Sequence, residues 1–386
     1  MQILFFGSNG SGQLGLGHQD DVSQPTHCLF DNDDDCHHRR ADTEPQQRPP
    51  PGAGRVVRIV AGGNHTLILF ESGAVYAAGF NADGRCGGVQ EESLLRFRRV
   101  RLRDGDDGTV VDRFRDVSAS WAASFLVADI DEEKNGVGDG QRVYVLGSGD
   151  RGELGLGKDI VRASACEVLR DFPPQEQRIV SIASGMGHTV AILSNGDVYG
   201  WGAARKGQLG TALAAKKIVW KPEKIEGAIP FAARAVVCGR EFTVITGPQE
   251  SGQYVILGAQ DDRWRIRSDA PSTLTKARSI AASWHGIYVH DFDSNVTAWG
   301  RQDRGQLPPP DLGPVAQIAV GSEHAIALLP DRKTVVAFGW GEHGNCGPET
   351  DERGNVAGRY NVIPLPQDTT VLGLGAGCAT SWIITS

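Results

Sequence analysis

The chain repeats one glycine-punctuated pattern seven times, and few folds can absorb seven such copies in a row. One half of the pattern is a short β-prone run ending at a glycine, followed by a glycine-bounded loop. Its fullest copy is Val198-Tyr199-Gly200-Trp201-Gly202 leading to Gly207-Gln208-Leu209-Gly210. The same half recurs at residues 3–7 with 12–15, 75–79 with 84–87, 143–147 with 152–155, 298–300 with 305–307 and 336–339 with 344–347. A copy at 254–258 lacks the closing glycines. The other half is two apolar strands joined at a Gly-x-x-His-like corner, clearest in Ile59-Val60-Ala61-Gly62-Gly63-Asn64-His65-Thr66-Leu67-Ile68-Leu69. Relatives starting at Val117, Ile182, Val237, Ile280, Ile318 and Leu374 put Ala122, His188, Phe242, His285, His324 and Thr380 at corners equivalent to His65.

Between the halves lie tight-turn sequences such as Glu71-Ser72-Gly73 and Ser194-Asn195-Gly196-Asp197, whose glycines supply the positive φ of a hairpin turn. Each unit is therefore a small antiparallel sheet. Sheets of roughly 40 to 65 residues cannot bury both faces alone, and a ring in which each covers its neighbour is a β-propeller. The chain opens with a lone first half and closes with a lone second half, Gly377-Cys378-Ala379-Thr380-Ser381-Trp382-Ile383-Ile384. Paired, the two make one blade and leave no long open edge. The expected fold is all-β: a seven-bladed propeller closed by pairing of the N- and C-terminal strands, with residues 1–386 as a single domain. An Asp-rich and then Pro-rich stretch at 31–54 lacks a core-forming pattern and reads as a disordered loop. Shorter polar loops fall near 103–110 and 131–140.

Fifty glycines among 386 residues, against an average usage of about 7 percent, are what this punctuation requires. A net charge of -8 opposes direct DNA binding, which needs a basic face to release counterions. Seven cysteines, an odd number with no C-x-x-C pair, fit reduced thiols in the cytosol or nucleus. The opening residues 1–7 carry no basic region and too few apolar residues for a signal peptide or membrane span, so they read as a first strand. A cytoplasmic protein is expected, with the nucleus left open and no membrane contact.

Cys28, Cys36, His37 and His38 lie together in sequence, yet a structural zinc site draws paired ligands from ordered turns. No metal or cofactor is expected there. His65, His188 and His324 recur with the repeat, and each is expected to hold its hairpin through backbone hydrogen bonds, as buried polar groups require. No G-x-S-x-G, phosphate loop or H-E-x-x-H is present, so the chain reads as a binding protein rather than an enzyme.

Departures from the repeat are more telling, because a position that the fold leaves free can serve a partner. The residue assigned before the corner is Asn64 or Gly187 in regular copies, Trp121 and Trp284 in two others, and Glu241 and Glu323 in two more. Equivalent positions on successive blades share one rim. Trp340, Glu342 and His343 follow the seventh half-repeat, and Trp382 sits near the closing strand. Trp201, Trp299 and Trp382 belong to repeat strands and are expected to pack between blades. Asn64, His65, Trp121, Trp284, His285, Glu323, His324, Trp340, Glu342, His343 and Trp382 make up the candidate partner-binding set, since tryptophan ringed by polar groups is the composition of an interface hot spot.

The Val-Tyr-x-Trp-Gly, Gly-Gln-Leu-Gly and Gly-x-x-His-Thr elements, spread over nearly the whole chain, resemble the regulator-of-chromosome-condensation family. Fold membership does not fix function, and that family includes Ran nucleotide exchange factors, scaffolds and ubiquitin-ligase modules. The two ends, Phe6-Gly7-Ser8-Asn9-Gly10 with Gln13-Leu14-Gly15-Leu16-Gly17-His18 and Gly339-Trp340-Gly341-Glu342-His343-Gly344-Asn345-Cys346-Gly347-Pro348, are similar to a fungal branch, the α-tubulin-suppressor or killer-toxin-insensitivity propellers. That resemblance implies a heterodimer with a small CSL-type zinc or iron protein that serves diphthamide synthesis and, through the Elongator complex, modification of tRNA wobble uridines. A Ran-type exchange factor is the alternative; it would need an inserted wedge and a basic tail, and the main insertion here is acidic before its Pro-rich end. A general protein-interaction scaffold is the third.

Overall fold

The computed structural model describes residues 1–31, 45–88, 91–104, 108–129, 140–367 and 369–386. They form seven antiparallel sheets around a central channel. Blade 1 joins the two ends of the chain: Val371–Ala376 and Thr380–Thr385 from the C-terminus, then Gln2–Gly7 and Val22–His27 from the N-terminus. Gln2–Gly7 pairs with Thr380–Thr385 over six residues, from Gln2 opposite Thr385 to Gly7 opposite Thr380. The expected closure of the ring by its termini is therefore present.

The other blades follow in chain order. Blade 2 begins at Val56–Ala61 and blade 3 at Asp116–Ala119; blades 4 to 7 begin at Ile179–Ser184, Ala235–Cys238, Ala277–Ala282 and Gln317–Val320. Each first strand lines the channel. The second strands are the most deeply buried: every residue of His65–Phe70, His188–Leu193 and His324–Leu328 is buried. They have a strand on either side and a neighbouring blade on either face, which is why they read as unbroken apolar runs. Aromatic side chains fill the wedges between blades. Trp201 packs 5.4 Å from Phe125 and donates Nε1 to Glu153 O, 3.1 Å away, in blade 3.

The glycine ending each third strand has a steric cause. A Cβ built on Gly202, where φ is +97°, would lie 2.5 Å from Gly187 O, the carbonyl just before the corner. The same clash recurs at Gly7, Gly79, Gly147, Gly258, Gly300 and Gly339, each against the residue preceding its own corner. That carbonyl also accepts the next amide, as in Ala203 N to Gly187 O at 2.7 Å. The backbones approach too closely for any side chain, so glycine recurs seven times.

These pairings correct the corner alignment in two blades. Opposite Gly147 and Gly300 stand Ala123 and Gly286, so the corners of blades 3 and 6 are Ala123 and Gly286 rather than Ala122 and His285. The cause lies in the first corner residue. In blades 2, 4, 5 and 7 it is glycine because the corner ring lies over it: a Cβ at Gly185 would meet His188 Cε1 at 2.6 Å, and one at Gly239 would meet Phe242 Cε1 at 2.1 Å. In blades 3 and 6, where the corner residue has no ring, Ser120 and Ser283 replace that glycine; blade 1 keeps Gly377 before Thr380, where a Cβ would meet Ala61 Cβ at 2.5 Å.

Blades 5 and 6 have three strands each, ending at Tyr254–Gly258 and Val296–Gly300. In blade 5 the Arg267 guanidinium donates to Ile256 O at 2.7 Å and Gly258 O at 3.3 Å, occupying the edge a fourth strand would cover. The stretch 31–54 departs from expectation: residues 32–44 lie outside the described residues, but Gln46 and Phe30 exchange backbone bonds at 2.8 and 3.1 Å, and Ala53 is buried. Near 103–110 the chain forms a short hairpin of Leu102–Arg103 with Val110–Val111. Of the loop expected at 131–140, residues 131–139 lie outside the described residues.

Candidate docking face

The corners and the loops after the third strands share one face of the disc, because each third strand ends beside the start of its second. The residues two places before the corners are Gly63, Trp121, Met186, Arg240, Trp284, Ser322 and Cys378 in ring order, and all but Arg240 line the channel. Backbone bonds tie successive blades there, including Gly63 N to Trp121 O at 2.9 Å, Arg240 N to Trp284 O at 3.0 Å and Trp284 N to Ser322 O at 2.9 Å. From blades 3 and 6, Trp121 and Trp284 meet across the mouth with ring centroids 5.9 Å apart. Arg240 lies 5.3 Å over the Trp284 ring. The pair spans the channel mouth on this face and leaves Trp121 40 % exposed.

Outward from Trp284 runs an arc of alternating aromatic and charged groups across blades 5, 6, 7 and 1. Trp264 lies between Arg263 and Arg301, at 4.8 and 4.9 Å, with the His285 ring 6.0 Å away. Glu323 collects His285 Nδ1 at 3.1 Å, Arg301 at 3.1 Å and Gln306 Nε2 at 2.6 Å. Burial works against the Glu323 charge, yet these hydrogen bonds and the guanidinium more than offset it and hold the carboxyl below its ordinary range. Arg301 also grips Asp303 through two nitrogens at 2.6 and 3.0 Å. Farther along, Arg304 lies 5.5 Å over Trp340, whose Nε1 donates to Glu342 at 3.1 Å. The His343 ring stands edge-on to Trp340 at 5.2 Å and meets Asp21 Oδ2 at 2.7 Å. Asp21 Oδ1 accepts Asn9 N at 2.7 Å.

Trp121, Trp284, His285, Glu323, Trp340, Glu342 and His343 are thus brought to one face, where Asn64 is also exposed. His65, His324 and Trp382 are not available to a partner. Trp382 is buried against Phe5, 5.9 Å away. His65 and His324, with His188, latch blade to blade: their Nε2 atoms lie 2.9 Å from Ser124, Ser381 and Thr243 hydroxyls on the next blade. Each hydroxyl gives its hydrogen to a backbone carbonyl, Arg85 O, Asn345 O or Gln208 O. The ring must therefore donate from Nε2. Burial lowers the three pKa values, to about 3 for His65 and about 4 for His188 and His324. The expected backbone bonds within the hairpin are replaced by side-chain bonds between blades.

Arg240, Arg263, Trp264, Arg301 and Arg304 were missing from the sequence-derived set. Trp264 and Arg263 fall in the one copy that lost its closing glycines, and that departure was the available signal. Among the described residues no group of three or more His, Cys, Asp or Glu is arranged to hold a metal; Cys36, His37 and His38 lie outside them, and Cys28 is buried with its thiol pKa pushed up by desolvation.

A family model described as RCC1-like domain matches residues 2–383. The RCC1 repeat-containing protein C10F6.04 of Schizosaccharomyces pombe is 30% identical over 394 residues, covering 99% of this chain and 98% of that protein. The secretion-regulating guanine nucleotide exchange factor of Mus musculus is 25% identical, covering 97% of this chain and 82% of that protein. Among solved structures, human WBSCR16 superposes with a TM-score of 0.74 at 18% identity, covering 100% of both chains, which speaks to the fold.

Proposed function

This chain belongs to the RCC1-like domain family, whose members include nucleotide exchange factors and interaction scaffolds, and from that membership we propose that it is a non-catalytic propeller that binds a small CSL-type metalloprotein through its corner face. The observation that carries the reading is the meeting of the two segments that resemble the fungal branch. Residues 6–18 and 339–348 come from opposite ends of the chain, and Asp21 joins them by accepting Asn9 N and the His343 ring. Beside them stand Trp340, Trp264 and Trp284, each with an arginine over its ring. Tryptophan and arginine anchors dominate protein interfaces, and the carboxylates between the rings give the surface a charge register.

In this role the propeller forms a heterodimer and sets which surfaces the metalloprotein's redox metal can reach, so regulating diphthamide synthesis and, through the Elongator complex, wobble-uridine modification. It acts in the cytosol, with the nucleus open to it. The names of the mouse and Bos taurus relatives, both guanine nucleotide exchange factors, support a second reading as an exchange factor for a Ran-type GTPase. Calorimetric titration with the CSL-type metalloprotein of the same genome, run beside a Ran-type GTPase loaded with labelled nucleotide, separates the two. One-to-one binding without nucleotide release supports the metalloprotein reading. No heat with the metalloprotein overturns it, and accelerated release then establishes the exchange factor.

A further inference from the structure

The loop residue that follows the closing glycine is Gln13 in blade 1, Gln208 in blade 4 and Gln306 in blade 6. Each accepts the amide two residues earlier on its side-chain oxygen: Ser11 N at 2.9 Å, Lys206 N at 3.0 Å and Arg304 N at 2.9 Å. In blade 3 this position is Glu153, whose Oε2 accepts Arg151 N at 2.6 Å. A neutral amide performs the structural task in three blades, so the loop does not require the negative charge. Blade 2 places Arg85 there and neutralises it with Asp83 at 2.6 Å. Glu153 has no such counter-ion: among the described residues no ion pair reaches it, and Arg151 pairs instead with Asp150 at 3.8 Å. Desolvation raises its pKa against its backbone hydrogen bonds and the field of Arg151, and Asp150 nearby adds to the rise.

Glu153 lines a groove of about 350 Å³ between blades 3 and 4 on the corner face. Its apolar walls include Trp121, Val161 and Met186, and its other acidic group is Asp150. Trp121 and Val161 are 40 % and 48 % exposed. The arc of blades 5 to 7 carries an arginine over each tryptophan, whereas no cation stacks on Trp121 among the described residues. A carboxylate with no ion-pair partner among the described residues, a part-exposed indole and an apolar wall are complementary to one side chain, arginine. Its planar, weakly hydrated guanidinium stacks on aromatic rings and pairs with carboxylates, and its aliphatic stem covers apolar surface.

We infer that this groove docks a basic segment of a partner protein, with an arginine stacked on Trp121 and paired with Glu153. The groove adjoins the arc assigned to the metalloprotein through the Trp121–Trp284 contact, but the inference does not depend on that assignment. Glu153→Gln removes the charge while installing the residue that holds the same loop in three other blades, so it preserves the fold. The probe is an acetylated and amidated peptide of sequence GRVG, with the citrulline-for-arginine peptide as its neutral match. The readout is the indole N–H resonance of Trp121, identified by its loss in Trp121→Phe. The arginine peptide should shift that resonance in a saturable way, with affinity weakened at least about fivefold by citrulline or by Glu153→Gln, in keeping with cation–π and ion-pair strengths. Equal binding of the two peptides, unaltered binding to Glu153→Gln, or no shift at tens of millimolar peptide would each overturn the inference. No metalloprotein is present, so failure here is distinct from failure of the partner titration.

Discussion

His188 Nε2 lies 2.9 Å from Thr243 Oγ1 on the next blade, and that hydroxyl donates onward to Gln208 O at 2.8 Å. The same relay recurs at His65 and His324, and burial of the three rings disfavours their protonated forms. Their folded pKa values, about 3 and about 4, lie below the unfolded value near 6.5. Above pH 6.5 both states are neutral and the full stability is present. As pH falls below 6.5 the unfolded chain takes up protons that the folded chain refuses, so stability declines toward pH 4. The loss is about 1.4 kcal/mol per pH unit for each histidine at most. Denaturant unfolding from about pH 7.5 to about 5.5, where most carboxylates stay ionised, should show this slope. In His188→Gln the midpoint should fall at pH 7 and the slope should flatten by about a third; an unchanged slope would remove His188 from the account.

Trp284 and Trp340 on the docking face should behave oppositely to Trp382. Trp284→Ala and Trp340→Ala should each cost at least about 2 kcal/mol of metalloprotein binding, with melting temperatures close to wild type. Trp382 fills the wedge against Phe5, and Trp382→Ala should cost about 3–5 kcal/mol of stability. Calorimetric titration and thermal melts of the three variants decide the matter. A large melting loss for Trp340→Ala would move it from the surface to the packing.

Gly202→Ala tests the steric origin of the repeat. The added methyl meets Gly187 O at 2.5 Å with φ at +97°, so the strand must separate from its neighbour or the hairpin must open. A loss of roughly 3 kcal/mol or more is expected, against little effect at Gly10, where a Cβ meets nothing within 4 Å. Urea midpoints of the two variants make the comparison.

The seven copies were legible because their cause is local: a corner ring over a glycine, and a third strand too close to a carbonyl for a side chain. The second rule holds in every blade and the first in four of them, so the blade count and the terminal closure follow from spacing alone. The corners of blades 3 and 6 were harder to place because Ser120 and Ser283 stand where the other blades have the first corner glycine, and neither Ala123 nor Gly286 carries a ring to mark the position. The face itself was half legible. Trp284, Trp340 and His343 stand out as departures, but the arginines that complete them come from loops of adjacent blades, and which loop leans over which ring is set by the propeller. The relation of Asp21 to His343 spans the ring closure and has no trace in local sequence.

Closure by the termini makes the ring's stability depend on seven residues at one end. Gln2–Gly7 is the third strand of blade 1, and Ile3, Leu4, Phe5 and Phe6 are all buried. Ile3 and Phe5 pack with Trp382 and Phe97 toward blade 2, while Phe6 packs with Phe338 and Ile383 toward blade 7. Full burial of each such side chain contributes about 1.5–3 kcal/mol, so the four account for roughly 6–12 kcal/mol, comparable to the whole stability of an ordinary domain. Deleting residues 1–7 also strips the outer edge of Thr380–Thr385 and cuts Val22–His27 from its partner. The truncated chain should lose its cooperative thermal transition. Adding a synthetic peptide of residues 1–31 should restore the transition in a concentration-dependent manner, because the peptide resupplies two strands and the wedge side chains together. Cooperative melting of the truncated chain near the native temperature would show that the remaining six blades hold the ring without this clasp.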